Sequence, residues 1–288
     1  MRWPTTSGFR FPPFYRAVRL LLAACAVLAA APQAVGAGDL EKAQADYAAA
    51  DFTAALEAFR RLGAFQETAE AQFMAGEMTR LGLGTEPDRI QAAEWYRRAA
   101  LLGHGNAQFA LGRLLVEHPD LSQAPGEAMK WLRNSFSQDI ADAGFFIGFL
   151  YEKGRHVIAD PQRAVRWYER AAENGSNAAR FRLAEMSFKG DGMAQNYGRA
   201  LDLIKAAAES GHAPAQLALA RLYRTGLPGR PELHANPIWA YFWANLAAAA
   251  GEPDAVTLRD ELAERLAPTQ LASAQERAAA WRAENLPD

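Results

Sequence analysis

Ala143-Gly144-Phe145-Phe146-Ile147-Gly148-Phe149-Leu150-Tyr151-Glu152-Lys153-Gly154 sets apolar groups at Ala143, Phe146, Ile147, Leu150 and Tyr151. That is the i, i+3, i+4 spacing of one helix face. Gly154 closes the run, where a residue without a Cβ can turn left-handed out of a helix. Asp160-Pro161 then opens a second helix. The aspartate can accept the free N–H groups of a first turn, and proline suits the first helical position. Arg163-Ala164-Val165-Arg166-Trp167-Tyr168-Glu169-Arg170-Ala171-Ala172 continues that helix to Gly175. The stretch predicts a helix–loop–helix.

Outward from it the same pattern returns every 36 residues. Ala71, Ala107, Ala143, Ala179 and Ala215 open five segments, with Phe73, Phe109, Phe145, Phe181 and Leu217 two residues later. The sixth position is small throughout: Gly76, Gly112, Gly148, Ala184 and Ala220. Glycine inside a helix costs about 1 kcal/mol relative to alanine, so its recurrence predicts a second helix packed close against it. Gly82, Gly190 and Gly226 are expected to end first helices as Gly154 does. Asp88, Asn196 and, after a four-residue insertion, Asn236 stand where Asp160 stands, and Gln91 completes a capping-box spacing with Asp88. A fixed period of this size denotes stacked units rather than one globular core. Trp95, Trp131, Trp167 and Trp243 are read as large groups filling spaces left by alanines, not as a ligand-stacking ladder.

Ala-Gln-Phe, Leu-Gly and Leu, then Gly, Asp, Ala and Trp-Tyr-x-x-Ala-Ala closing on Gly, resembles the Sel1-like repeat, a relative of the tetratricopeptide repeat. The resemblance implies an all-α, right-handed α-solenoid whose concave face is lined by first helices, and adaptor work in bacterial export, envelope or signalling pathways. The expected organisation is a secretory leader over 1–37 and a tetratricopeptide-like capping hairpin over 38–70. Five repeats follow over 71–106, 107–142, 143–178, 179–214 and 215–254, with capping helices over 255–288. Terminal caps cover the apolar faces that a stack leaves open at its ends.

The leader has three parts: Arg2, Arg10, Arg16 and Arg19, the apolar run Leu20 to Ala31, and small residues to Ala37. A run of 12 residues is too short for a membrane-spanning helix, which takes about 20. Cleavage near Ala37 and a periplasmic location are expected. The alternative is a lipid anchor at Cys25, the only cysteine, which ends the lipobox-like Leu22-Ala23-Ala24-Cys25. Four of the 31 basic residues and none of the 33 acidic ones lie in 1–37, so residues 38–288 carry a formal charge of −6. That balance argues against general affinity for nucleic acid or an anionic membrane.

Positions that differ between units are free to serve a partner. On the first helix these are positions 4, 7 and 10, expected on the open face. Phe146 and Phe149 of unit 3 stand where other units place mostly small, charged or flexible residues. Phe188 would extend that patch, with Arg113, Arg182 and Arg221 as a rim. An aromatic centre with arginine around it is the usual make-up of a binding hot spot. The other reading is that both phenylalanines pack inward against the irregular unit 2. That unit has His118-Pro119 for the helix-ending glycine, Ala124 for the cap and Ser135-Phe136 for Ala-Ala, and reads as either a hinge or a decayed repeat.

The sequence carries little chemistry. His104 and His212 share a repeat position, and both are read as solvated. Gly190-Asp191-Gly192 lacks the Lys-Ser/Thr of a phosphate loop and the acidic ladder of a calcium site. No nucleophile elbow or Ser-x-x-Lys is present. Neither a cofactor nor a metal is expected. Some cysteine-rich members of the resembled family are described as β-lactamase-like, but they rely on a disulfide in each repeat, which this chain lacks. The expected function is therefore a non-enzymatic interaction scaffold holding a protein or peptide in its groove. The periplasmic part of a membrane receptor is one such partner, as for Sel1-type regulators of exopolysaccharide production. A cell-wall-associated lipoprotein is the alternative.

Overall fold

The computed structural model describes residues 37–65, 68–124, 126–227 and 234–285. The leader before Ala37, including Cys25, lies outside the described residues. Among those described there is no strand. Helices α1 (Ala37–Ala48) and α2 (Phe52–Phe65) form the leading hairpin. The repeats contribute α3 (Ala69–Leu81) and α4 (Arg89–Leu101), α5 (Gly105–Glu117) and α6 (Glu127–Phe136), and α7 (Ala141–Lys153) and α8 (Pro161–Glu173). They continue with α9 (Asn177–Lys189) and α10 (Tyr197–Glu209), then α11 (Ala213–Thr225) and α12 (Pro237–Ala249). Helices α13 (Pro253–Ala263) and α14 (Pro268–Asn285) close the array.

Each helix packs on the next in sequence up to α13, and α14 packs back on α12, so the core runs along the array as successive apolar clusters rather than as one ball. Apolar residues of successive units share it, from Phe73 through Leu111, Ile147 and Leu183 to Leu219. The tryptophans lie in this core: Trp95, Trp131 and Trp243 are buried and Trp167 is half-buried. At the end of the stack, α14 lays Ala274 and Ala278 against the apolar face of α12.

The expected caps form. Asp88 accepts from the N–H groups of Ile90 and Gln91, Asp160 from Arg163, Asn196 from Arg199, and Asn236 from Ile238 and Trp239. The capping box is only half made. The Gln91 side chain accepts instead from Arg60, 2.5 Å away, which ties α2 to α4. Gly226 also departs from expectation. It ends α11 with a positive φ of 70° as expected, but its ψ is 171° where Gly82, Gly154 and Gly190 have 28°, 31° and 29°.

Two inter-helix contacts explain the small residues and the glutamines. A Cβ at Gly76, Gly112 or Gly148 would come within 2.7 Å of Tyr96, Leu132 or Tyr168 respectively. Each first helix thus lies directly against one large side chain of its own second helix. At position 2, Gln108 and Gln216 donate 3.1 Å bonds to the Ala100 and Ala208 carbonyls at the end of the preceding second helix. Arg180 does the same to Ala172. Each of these carbonyls also accepts from a backbone N–H of the closing turn, Gly103, Gly211 and Gly175 respectively, so the side chain takes its second acceptor site. Unit 3 has Gly144 there, and Phe136 of unit 2 fills the space, with its ring 2.5 Å from where a Cβ would stand.

Candidate functional site

Positions 4, 7 and 10 of the first helices do not share one environment. Position 7 is half-buried in every unit: Glu77, Arg113, Phe149, Glu185 and Arg221. Position 4 is the seam between successive first helices, and Ala110, Phe146, Arg182 and Ala218 are buried there. Position 10 is mixed, with Val116 and Phe188 buried and Arg224 exposed. The expectation that all three columns face outward is corrected accordingly. The stagger of neighbouring units covers position 4 and leaves position 7 at the opening.

Around Phe149 three rings form a chain. Phe146 is 4% exposed and lies 6.1 Å from Phe149, nearly parallel to it, and 6.3 Å edge-on from Phe109 of unit 2. Arg113 stands 5.8 Å over Phe109, and Lys153 stands 6.0 Å over Phe149. Helices α5 and α7 touch directly at this point. Phe149 is thus the half-buried tip of an aromatic wedge, backed by Phe146, with Lys153 at its own ring and Arg113 at the Phe109 end. Both sequence readings are partly met: Phe146 packs inward and Phe149 reaches the opening.

The other three candidates are engaged elsewhere. Phe188 is buried in the core of units 4 and 5, with its ring 5.5 Å from Tyr197. It does not continue the wedge, because position 10 of unit 4 turns under the inter-helix loop. Arg221 pairs with Asp254 of α13 at 2.8 Å, and so fastens the cap rather than standing alone on a rim. Arg182 is buried in an ion network across the boundary between units 3 and 4. It donates to Glu152 through Nε (2.8 Å) and Nη2, and to Glu185 through Nη1. The Tyr168 hydroxyl donates to the same Glu152, at 2.9 Å. Despite burial, bonds from Arg182, Lys153 and Tyr168 hold the Glu152 pKa down at about 2. Burial and the adjacent Glu152 push the Tyr168 phenol up. Unit 1 repeats the device with other partners: the Tyr96 hydroxyl donates to Glu77 at 2.6 Å and accepts from Arg80 at 3.1 Å.

The paired histidines are corrected too. His104 caps α5, accepting from the Ala107 N–H at 3.1 Å through Nδ1, while Nε2–H donates to Glu70 across the unit boundary. Its ring stacks on Phe73 at 4.8 Å. His212 occupies the same place before α11 but makes no cap bond, and its Nδ1 is buried with no partner among the described residues. Burial lowers its pKa to about 4. Neither ring is a solvated loop residue, because the start of each first helix is wedged against the preceding unit.

Among the described residues no group of His, Cys, Asp and Glu is placed to hold a metal ion, and no helix is long and apolar enough to cross a membrane. The Sel1 repeat profile matches residues 69–104, 105–139, 141–176, 177–212 and 213–252. No curated protein sequence matches the chain. Two solved structures resemble it closely. One is a protective antigen of uropathogenic Escherichia coli strains displaying an SLR fold. Its TM-score is 0.69 at 25% identity over 87% of this chain, which spans 54% of that protein. The other is a Sel1 repeat protein from Oxalobacter formigenes, with a TM-score of 0.68 at 27% identity. That match covers 84% of this chain and 99% of the other.

Proposed function

Because the chain belongs to the Sel1 repeat family, whose members are in general protein-interaction scaffolds, we propose that it is a non-enzymatic periplasmic scaffold. It holds a protein or peptide partner along the first-helix face. The observation that carries this reading is Phe149, a large aromatic residue left half-buried in mid-helix with Lys153 over its ring and the Arg113–Phe109 pair behind Phe146. Rigid aromatics beside cationic side chains dominate binding energy at interfaces. The Arg-rich start, short apolar run and small residues to Ala37 support export. The partner that fits an exported scaffold is the periplasmic part of an envelope receptor, whose signalling the scaffold tunes.

The test is a photo-crosslinker at Lys153, beside the Phe149 ring, in cells, with the captured protein identified by mass spectrometry. Capture of an envelope protein, lost on Phe149→Ala with the helical circular dichroism unchanged, is the expected result. Equal capture from a probe at exposed Val256, on the closing helix α13, refutes the site.

A further inference from the structure

Units 2 and 3 meet differently from their neighbours, at the loops and again on the second helices. At the loops, α6 begins at Glu127, two residues later in the repeat than Arg89, Pro161, Tyr197 and Pro237 begin theirs. Gly84 and Gly192, at φ of 75° and 68°, pack on the first residue of the preceding second helix. Unit 3 has His156 at that repeat position, with a φ of 61°. The late start of α6 leaves a gap for its ring, whose Nε2 donates to the Val116 carbonyl at 3.0 Å. The chain itself answers this first difference.

The second is left unanswered. Position 27 of one unit stands against position 21 of the next, and an ion pair bridges two of the boundaries there. Arg97 pairs with Glu127 at 3.3 Å between units 1 and 2, and Arg199 with Glu169 at 2.7 Å between units 3 and 4. Between units 2 and 3 the same two positions hold Arg133 and Arg163. Arg163 pairs instead with Asp160, at 3.0 Å in its own unit. Between units 4 and 5 the positions hold Lys205 and Trp239, so no like-charged pair arises.

The surroundings of Arg133 deepen the imbalance. Lys130, Arg133, Arg166 and Arg170 are exposed, and their side chains make no hydrogen bond or ion pair among the described residues. Arg170 lies between the rings of Phe136 of α6 and Trp167 of α8, 4.8 and 4.7 Å from their centroids. A guanidinium stacked on rings keeps its planar edge of donors for a carboxylate. Together α6 and α8 carry five cations and three carboxylates. Two of those carboxylates, Glu127 and Glu169, are committed to Arg97 and Arg199. The third, Glu173, is the last residue of α8.

We infer that this second-helix face of units 2 and 3 binds an acidic segment of a partner polypeptide, one of whose carboxylates takes the place of the acid missing between Arg133 and Arg163. The boundary itself selects a carboxylate, because Glu127 and Glu169 supply one at the adjoining boundaries. The patch is two helices wide, in a chain whose residues 38–288 carry a formal charge of −6. A short segment feels the charges within a Debye length, about 8 Å at physiological ionic strength. A continuous anionic surface such as a bilayer also meets the net negative field of the whole protein. The face uses none of the Phe149 wedge, so it stands independently of the first-helix site.

The probe is fluorescently labelled hexa-L-glutamate amide, titrated onto the protein and followed by anisotropy. Hexa-L-lysine amide with the same label and vesicles of phosphatidylglycerol are run beside it. A saturable rise with the acidic peptide alone is expected, weakening as salt approaches about 1 M, where the Debye length is about 3 Å. Arg133→Glu should lower the affinity at least about fivefold, the upper range for one exposed ion pair. It should not lower the unfolding temperature, because a glutamate there faces Arg163 as Glu169 faces Arg199. Arg282→Glu on α14 makes the same change in net charge and should leave binding unaltered. If Arg133→Glu fails to fold, Arg166→Glu serves instead. Absence of peptide binding, equal loss in Arg282→Glu, or full binding by Arg133→Glu overturns the inference. Vesicle binding that exceeds peptide binding and is lost in Arg133→Glu assigns the face to lipid and overturns it too.

Discussion

Tyr168 lies so close to Gly148 that a Cβ on the glycine would meet two of its ring carbons at 2.7 Å. The ring is fully buried and its hydroxyl is held by Glu152, so it cannot swing aside. The two residues are one packing unit, and the array repeats the arrangement as Gly76 with Tyr96 and Gly112 with Leu132. Where position 6 carries a methyl group, as in Ala184 and Ala220, the facing position holds the smaller Ile204 and Ala244.

Gly148→Ala should therefore destabilise the protein by about 1–3 kcal/mol, although alanine is the better helix former. Adding Tyr168→Ile, the pairing of unit 4, should recover part of that loss. Urea midpoints followed by circular dichroism check both. A stabilised single variant would show that the helices are free to move apart.

Arg182→Met removes the main cation from buried Glu152 and should cost about 3 kcal/mol. The pH dependence follows from Glu152. Its folded pKa of about 2 lies below the ordinary 4.5, so its contribution is complete above about pH 4.5 and is lost as pH falls toward 2. At most about 3 kcal/mol rides on that shift. Glu152→Gln should flatten the stability curve in this window alone.

His212 acts in a higher window. Its folded pKa of about 4 lies below the ordinary 6.5 because the neutral ring is buried. Between about pH 6.5 and 4 the unfolded chain takes up a proton that the folded chain refuses, so stability should fall by about 3 kcal/mol over that window, about 2 kcal/mol of it by pH 5. His212→Ser should abolish this slope. It should also gain about 1 kcal/mol by capping α11, as Ser176 caps α9 through the Ala179 N–H. Thermal melts at pH 7 and pH 5 read both effects.

Phe149→Ala should lower the unfolding free energy by only about 1 kcal/mol, because the ring is half-buried. Phe146→Ala should cost about 3–5 kcal/mol, as expected for a buried phenylalanine. Calorimetry of the two variants separates the tip of the wedge from its base. Equal losses would place both rings in the core.

The period, the helix pairs and the caps were legible because each is a local rule, the first two applied in five units and the Asp/Asn cap in four. Asp88, Asp160, Asn196 and Asn236 cap as their chemistry requires. What escaped were contacts between residues far apart in the chain that change partner from unit to unit. Tyr96 donates to position 7, Glu77, whereas Tyr168 donates to position 10, Glu152. No column of the repeat reveals that exchange. Gln108 and Gln216 look like surface amides, yet they reach back to carbonyls of the preceding unit. The burial of Phe146 and Phe188 depends on the stagger between neighbouring units, which a one-dimensional period does not encode.

The left-handed backbone of His156 fits beside the late-starting α6 and beside none of the regular second helices. Modules two and three are therefore not freely interchangeable parts. Transplanting module three behind a neighbour of standard length would drive an imidazole into that neighbour's first turn. Moving module two alone would leave its gap facing a glycine. In chimeric arrays, and under any gene conversion that copies one repeat over another, these two must be inherited as a single 72-residue cassette.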